Sequence, residues 1–187
     1  VLWGDSHANH LYHGFSQYIP SSSYNFLYFA NAGCPPILDV SVKNRPNCQR
    51  NNHSFYEYIQ KEKVDTMILA ASWFFAQSQS GVELSKLVST VQKLRDANIN
   101  VIVINQLPIY SISNPSYLLA RLTERDALNK DYAIAPARGL TVLNEVTIAA
   151  KDAQLVNLHE AFCSDDGKCT LYKGGQLMVV DHAHLSK

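Results

Sequence analysis

Short apolar segments alternate along this chain with segments in which apolar residues recur at helical spacing. The apolar segments are residues 1–3, 24–30, 66–71, 101–105 and 154–158, and they have the length and composition of buried strands. The helical segments are residues 7–18, 54–63, 82–97, 117–132 and 140–150. Because these strands are apolar on both faces, helices must shield both faces of the sheet from water. The alternation therefore predicts an α/β fold, a three-layer α/β/α sandwich with a mainly parallel central sheet.

The size and charge of the chain exclude several classes of function. Its 187 residues, 47% of them hydrophobic, suffice for a single domain over residues 1–187 with one sizeable core. Sixteen basic residues balance sixteen acidic ones, so we expect no nucleic-acid partner. The longest apolar stretches, such as residues 67–71, are far shorter than the ~20 residues that span a bilayer.

Four cysteines form two pairs that are close in sequence, Cys34 with Cys48 and Cys163 with Cys169. Four cysteines allow three connectivities, and local pairing is the simplest because each pair would close a loop rich in Pro, Asn, Asp or Gly. Disulfides would indicate an oxidising compartment. A zinc site and four free buried thiols are the alternatives, although no C-x-x-C or H-x-x-x-H spacing accompanies the cysteines.

The motif Gly4-Asp5-Ser6-His7 falls at the predicted turn from the first strand to the first helix. A serine in the first turn of a helix lies beside N–H groups that have no partner within the helix. The positive end of the helix dipole also favours an anion that develops there. Ser6 is therefore a candidate nucleophile. The alternative is that Asp5 or Ser6 only caps the helix.

A candidate partner for this serine lies near the other end of the chain. In Asp181-His182-Ala183-His184, residues three apart are close in a tight turn or a first helical turn, so Asp181 can hold one ring nitrogen of His184 while the other faces a serine hydroxyl. Triads are defined by roles and not by chain order. The alternatives are a surface Asp–His pair, and His182 as the base, which we favour less because it directly follows Asp181.

With these two motifs, the sequence resembles the SGNH hydrolase superfamily. More narrowly, it is similar to the SGNH domains fused behind the membrane-embedded acyltransferase-3 domain of bacterial O-acetyltransferases that modify surface polysaccharides. The resemblance implies that Ser6 is the nucleophile, His184 the general base and then acid, and Asp181 the residue that orients and stabilises the imidazolium. Gly33, in Asn31-Ala32-Gly33-Cys34-Pro35-Pro36, matches the block whose backbone N–H, with that of Ser6, forms the oxyanion hole.

One block departs from the superfamily pattern. Where the superfamily has Gly-x-Asn-Asp, with an asparagine that donates to the oxyanion, this chain has Ser72-Trp73 after the predicted strand 66–71. An Ala-x-Trp-like block there is typical of the fused subgroup. Losing one such donor costs about a hundredfold to a thousandfold in rate in other enzymes, so we expect weak hydrolysis unless Ser72, Trp73 or another group substitutes.

Several residues near these motifs have two interpretations each. Asp5 and His7 are candidate substrate-binding residues beside the nucleophile, and Trp73 either stacks on a sugar ring or fills a pocket wall. His7, His10 and His13 recur every three residues and form either a metal-binding face or, as we favour, a polar helix face. We interpret the ten tyrosines as packing and surface residues. We expect no metal and no cofactor.

The resemblance implies a function and a location. It indicates a transferase that moves acetyl groups, supplied by a fused acyltransferase-3 membrane domain, to a surface glycan such as lipopolysaccharide O-antigen at the periplasmic face of the inner membrane. The alternatives are a carbohydrate O-acetylesterase and a non-catalytic glycan-binding module. Because the sequence opens on the apolar pair Val1-Leu2, we expect it to be a fragment of a longer, membrane-anchored acyltransferase.

Overall fold

The computed structural model describes residues 1–110, 132–134, 140–181 and 183–186. The helices are α1 Ser6–Tyr18, α2 Cys48–Lys61, α3 Trp73–Ser78, α4 Lys86–Asp96, α5 Leu140–Ala149 and α6 Leu158–Phe162. The strands are β1 Leu2–Gly4, β2 Tyr28–Ala30, β3 Thr66–Ala70, β4 Asn100–Ile104, β5 Tyr132–Ile134, β6 Gln154–Val156, β7 Cys169–Lys173 and β8 Gln176–Leu177. Among the helices described here, none combines the length and the apolar composition needed to cross a bilayer.

The central sheet has five strands in the order β2-β1-β3-β4-β6, and every neighbouring pair is parallel. Leu2 of β1 is paired with Tyr28 of β2 on one side and with Ile68 of β3 on the other. The predicted α/β class with a mainly parallel sheet is confirmed.

Alternate residues of the inner strands enter two different hydrophobic clusters. In β3, Met67 and Leu69 belong to the larger cluster, which includes residues of α2, α4 and α5, whereas Ile68 and Ala70 belong to a smaller one with residues of α1 and α6. Because side chains alternate across a strand, these clusters lie on opposite faces of the sheet. The continuous apolar composition of the strands follows from this coverage on both faces.

The loop predicted over residues 31–52 is shorter than expected, because α2 begins at Cys48 and not at residue 54. The first turn of α2 is polar in sequence, but Cys48 and Asn52 are buried in it. The Asn52 side-chain amide donates to the carbonyl oxygens of Pro35 and Ile37, each at 2.9 Å. These tertiary contacts stabilise helical turns that the sequence pattern does not indicate.

Other elements also differ from the prediction. The short helices α3 and α6 and the strands β5, β7 and β8 were not expected from the pattern. Each of these elements is shorter than the stretch of sequence over which a periodic pattern can be recognised. The helix predicted over residues 117–132 lies almost wholly outside the described residues, and its last residue, Tyr132, begins β5.

A second, three-stranded sheet has the order β5-β7-β8 and is antiparallel. Beside it, Tyr110, Cys169, Leu171 and Val179 form a small separate core. The C-terminal segment is attached to this sheet, because the Met178 N–H donates to the Leu171 carbonyl at 2.9 Å. The small sheet therefore positions the segment that contains Asp181 and His184.

The cysteines form the two disulfides Cys34–Cys48 and Cys163–Cys169, as local pairing predicts. The first connects the loop after β2 to the start of α2, and the second closes the loop before β7. The His159 Nε2 lies 3.9 Å from the Cys169 Sγ. Since both nearby sulfurs are joined to each other, neither is a thiolate available to a metal ion.

Candidate active site

Three loops meet at the carboxyl edge of the central sheet. Asp5 and Ser6 follow β1, the segment 31–33 follows β2, and Ser72 lies just beyond β3. The chain continues from β1 to β2 on one side and from β3 to β4 on the other. The strand order therefore reverses between β1 and β3, which is where ligands bind in open parallel sheets. The Asn31 N–H donates to the Gly4 carbonyl at 3.0 Å, so the second loop is bonded directly to the first.

Gly4 is required by the close approach of two backbones. A Cβ atom at this position would lie 1.8 Å from the carbonyl oxygen of Ala70 and 2.8 Å from the Cβ of Ala8. Any side chain here would therefore push β1 away from β3 or from α1. Gly4 thus allows β1 to pack closely against both β3 and α1.

Asp5 is the N-cap of α1, and Ser6 is the first residue of the helix. One carboxylate oxygen of Asp5 accepts from the His7 N–H at 2.8 Å and the other from the Ser72 N–H at 2.9 Å. Asp5 is buried. Asp5 therefore caps α1. Its role in substrate binding stays a prediction.

Ser6, His184 and Asp181 form a continuous hydrogen-bonded chain. The Ser6 Oγ lies 3.1 Å from the His184 Nε2, and the His184 Nδ1 lies 2.6 Å from the Asp181 Oδ2. The second carboxylate oxygen, Oδ1, accepts from the N–H groups of Ala183 and His184, each at 2.8 Å. This is the connectivity of a nucleophile, a base and an orienting carboxylate. His182, the alternative base, lies outside the described residues.

The Asp181 carboxylate is held in its ionised form. Partial burial by itself raises the pKa of this group, but the His184 side chain and the two backbone N–H groups donate to the carboxylate and lower its pKa overall. An ionised carboxylate favours the tautomer in which Nδ1 of His184 carries the proton. The Nε2 lone pair then faces the Ser6 hydroxyl.

Two further histidines pack around His184. The His10 ring lies edge-on to it, with centroids 4.3 Å apart, and the His7 ring lies 5.2 Å away. His7 is buried and packs against the base, and it also lines the cavity above Ser6. Its role in substrate binding stays a prediction. His13 contacts Gln17 on the exposed side of α1, and in the described part of the chain the three histidines of this helix form no common metal cluster.

Trp73 and Ser72 occupy the block in which the superfamily has its asparagine. Trp73 is fully buried, and its indole N–H donates to the Ile104 carbonyl at 2.8 Å. With no exposed surface, Trp73 packs in the core, and it is not among the described residues that line the two cavities reported below. The Ser72 hydroxyl has essentially no accessible surface and, among the described residues, no hydrogen-bond partner.

A cavity of about 260 Å³ opens above the serine. Ser6, His184, Gly33, Arg45 and Ser72 are among the residues that line it. In the described residues no asparagine lines this cavity. The Ser6 N–H, at the first helical position, has no partner within the helix. The Gly33 N–H is the second backbone donor predicted for the oxyanion hole.

A larger groove, of about 740 Å³, runs beside the edge strand β2. Its lining includes Tyr28, Tyr58, Asn31, Asn51 and Ser54, and no described lining residue carries a charge. Consecutive residues of one loop line the two cavities: residue 31 lines the groove, and residues 32 and 33 line the cavity above the serine.

Comparison with known proteins identifies one family. A family model described as "SGNH domain (fused to AT3 domains)" matches residues 1–187. No curated protein and no solved structure matches the chain. The matched range includes Ser6, Asp181 and His184.

We predict that Asp5 makes folding stability depend on pH. Burial raises the pKa of Asp5 to about 6, so the folded state holds this proton more tightly than the unfolded chain. Titration of Asp5 therefore lowers the free energy of unfolding by about 3 kcal/mol in total as pH rises from about 4 to about 6. Chemical denaturation between pH 4 and 7 should show that Asp5→Asn removes this part of the pH dependence.

The matched control for this measurement is Asp152→Asn, at an exposed carboxyl. It should leave the pH dependence as in the parent. The same slope in parent and Asp5→Asn would contradict the prediction, whatever the constant offset between the two proteins. An offset is expected, because one of the two backbone donors to Asp5 loses its acceptor when an amide replaces the carboxylate.

Proposed function

Because this chain belongs to the family of SGNH domains fused to AT3 domains, we propose that it is a serine-dependent O-acetyltransferase. It transfers acetyl groups to hydroxyls of a bacterial surface polysaccharide such as lipopolysaccharide O-antigen. The family supports the coarser role of an acyl-transfer or esterase domain with a hydrolase fold. The observation that carries the proposal is the hydrogen-bonded chain from Ser6 through His184 to Asp181.

The reaction proceeds in two steps that use the same three residues. The Ser6 Oγ attacks the acetyl carbonyl of the donor while His184 Nε2 takes the hydroxyl proton. The leaving group departs with that proton, and an acetyl ester remains on Ser6. A glycan hydroxyl then attacks this ester and gives its proton to His184. The acetylated glycan leaves, and the proton returns to Ser6 Oγ.

The negative charge on the carbonyl oxygen develops beside backbone donors. The N–H of Ser6 lies at the positive end of α1, and the N–H of Gly33 belongs to a loop that lines the same cavity. Such prepositioned donors stabilise the charge without reorganising as the reaction occurs. Asp181 meanwhile stabilises the imidazolium formed on His184.

We further propose that the acceptor glycan binds in the groove beside β2. A sugar ring presents C–H faces that pack on aromatic rings and hydroxyls that bond to amides, and the groove offers both kinds of group. Tyr28 and Tyr58 keep 37% and 47% of their surface exposed there. The uncharged lining suits a neutral saccharide, and the loop of residues 31–33, which lines both the groove and the cavity, would guide an acceptor hydroxyl toward Ser6.

The partner and location follow from the same family. A fused AT3 membrane domain would supply the acetyl group, and the domain would act at the periplasmic face of the inner membrane. The two disulfides support an oxidising compartment of this kind.

We predict that acetylation of this chain requires Ser6. Brief incubation with p-nitrophenyl acetate should add one acetyl group to the parent, detected by intact-protein mass, and release nitrophenol. Ser6→Ala should show neither event, because the attacking oxygen is gone. Ser16→Ala, at an exposed position of the same helix, is the control and should behave as the parent. An adduct that persists in Ser6→Ala would contradict the proposal, and a folded parent that binds glycan without reacting would favour the binding-module alternative.

We predict that Asp181→Asn reduces turnover of p-nitrophenyl acetate by about a thousandfold or more. The asparagine oxygen can still accept from the two backbone N–H groups, but its NH₂ group then faces His184 Nδ1. This geometry puts the ring proton on Nε2, so the nitrogen that faces Ser6 cannot accept a proton. Steady-state kinetics should show the loss at unchanged thermal stability, and Asp165→Asn, at an exposed carboxyl, should remain fully active. A variant with near-parent kcat would refute the role of Asp181.

We predict that Tyr58→Ala weakens use of the acceptor without affecting acetylation of Ser6. With chemically deacetylated lipopolysaccharide as acceptor, its KM should rise about tenfold because an aromatic contact is lost. Formation of the acetyl adduct from p-nitrophenyl acetate should stay as in the parent. Tyr18→Ala is the control, since Tyr18 is 86% exposed at the far end of α1. An unchanged KM for the acceptor would contradict the proposal that the glycan binds in this groove.

A further inference from the structure

We propose that Arg45 is a positioning residue for the oxyanion hole, a role that rests on the function proposed above. Its guanidinium Nε donates to the carbonyl oxygen of Ala32 at 3.0 Å. That carbonyl belongs to the same peptide group as the Gly33 N–H. Arg45 therefore acts on the oxyanion donor through the peptide bond that carries it.

The geometry of the peptide group makes this action directional. A trans peptide is planar, and its C=O and N–H point in opposite directions. With Arg45 on the carbonyl side, the Gly33 N–H faces away from the guanidinium. A cationic donor on the oxygen also draws electron density out of the amide, and this polarisation strengthens the N–H as a donor.

The Gly33 N–H is available for such a role. In the described part of the chain, no backbone or side-chain acceptor is bonded to it, whereas the next N–H, that of Cys34, donates to the Asn31 carbonyl at 2.9 Å. The Gly33 N–H, in a residue that lines the cavity, is thus left to bond to a ligand there.

Arg45 is itself held in place. Its Nη1 donates to the Asn44 carbonyl at 3.0 Å, and its own carbonyl accepts from the Cys48 N–H at 3.0 Å. Cys48 begins α2 and is bonded through its sulfur to Cys34, the residue after Gly33. The guanidinium and the peptide that it contacts are therefore connected by a short covalent path.

The absence of a side chain at Gly33 makes room for this contact. A Cβ there would lie 3.0 Å from the Arg45 Nε, and the backbone φ of +69° lies in the left-handed region that favours glycine. Glycine lets the planar guanidinium lie against the backbone of the turn.

The polarisation matters more here than in a site with an asparagine donor. Trp73 donates to the Ile104 carbonyl, and the Ser72 hydroxyl has essentially no accessible surface. When only backbone N–H groups stabilise the oxyanion, the rate depends more strongly on the donor strength and direction of each group. Arg45 offers partial compensation for the missing asparagine.

A competing role for Arg45 is the direct binding of an anionic substrate, since its side chain also lines the cavity. The two roles differ in which kinetic constant they affect. A positioning role lowers kcat for every ester, including a small neutral one. A substrate-binding role raises KM for charged substrates and leaves a neutral ester unaffected.

The kinetic test uses the neutral ester p-nitrophenyl acetate. Arg45→Gln should lower kcat about tenfold and leave KM within about twofold, a smaller loss than removal of a whole donor would cause. Arg45→Lys, which keeps the charge without the planar fork, should recover part of kcat. Arg50→Gln, at an exposed position of α2, is the control and should match the parent. Parent-like kcat in Arg45→Gln would overturn the proposal.

A second measurement does not depend on activity. In amide NMR spectra, the Gly33 ¹⁵N resonance should move upfield in Arg45→Gln, because the hydrogen bond to the Ala32 carbonyl is lost, and should move less in Arg45→Lys. A Gly33 resonance that stays at its parent position in Arg45→Gln would overturn the proposal. If the parent itself fails to turn over the ester, the proposed function falls, whereas the NMR result still decides whether Arg45 polarises this peptide.

Discussion

The parallel pairing of β1 with both β2 and β3 is the constraint on which the site depends. It brings the loops that follow three strands to one edge of the sheet, although two of those strands are far apart in the chain. Hydrogen bonds then join the loops: Asn31 N–H donates to the Gly4 carbonyl, and Asp5 accepts from Ser72 N–H. The close contact at Gly4 shows how little space this pairing leaves.

Each chemically important segment is anchored outside the cavity. The turn that contains Gly33 is held by the Cys34–Cys48 disulfide and by the buried side chain of Asn52, which bonds to two carbonyls farther along the loop. The segment that contains His184 is paired with the antiparallel hairpin near the Cys163–Cys169 disulfide. Two long loops thus become rigid supports, and the ordering cost is met by contacts that do not touch the substrate.

Three charged side chains lie around the site and differ in their effect. The Asp181 carboxylate is kept ionised by three donors, which suits its action on His184. Asp5 is buried in the first turn of α1 and has a raised pKa. Arg45 places a cation behind one of the backbone donors. A helix end, a polarised peptide and one guanidinium contribute positive potential where an oxyanion would form. Ionised Asp5 opposes them above its pKa.

The sequence by itself determined the α/β class, the parallel sheet, the local cysteine pairing, and Ser6, Asp181 and His184 as the residues to consider, because periodicity and i, i+3 spacing are local properties. It did not reveal the early start of α2, the antiparallel hairpin, the burial of Trp73 or the contact of Arg45 with Ala32. Those features depend on groups that meet only after the chain has folded, and their local sequence is polar or short. The bond between the Asp5 carboxylate and the Ser72 N–H was also decided only by the tertiary structure, because Ser72 follows a neighbouring strand that is far away in the sequence.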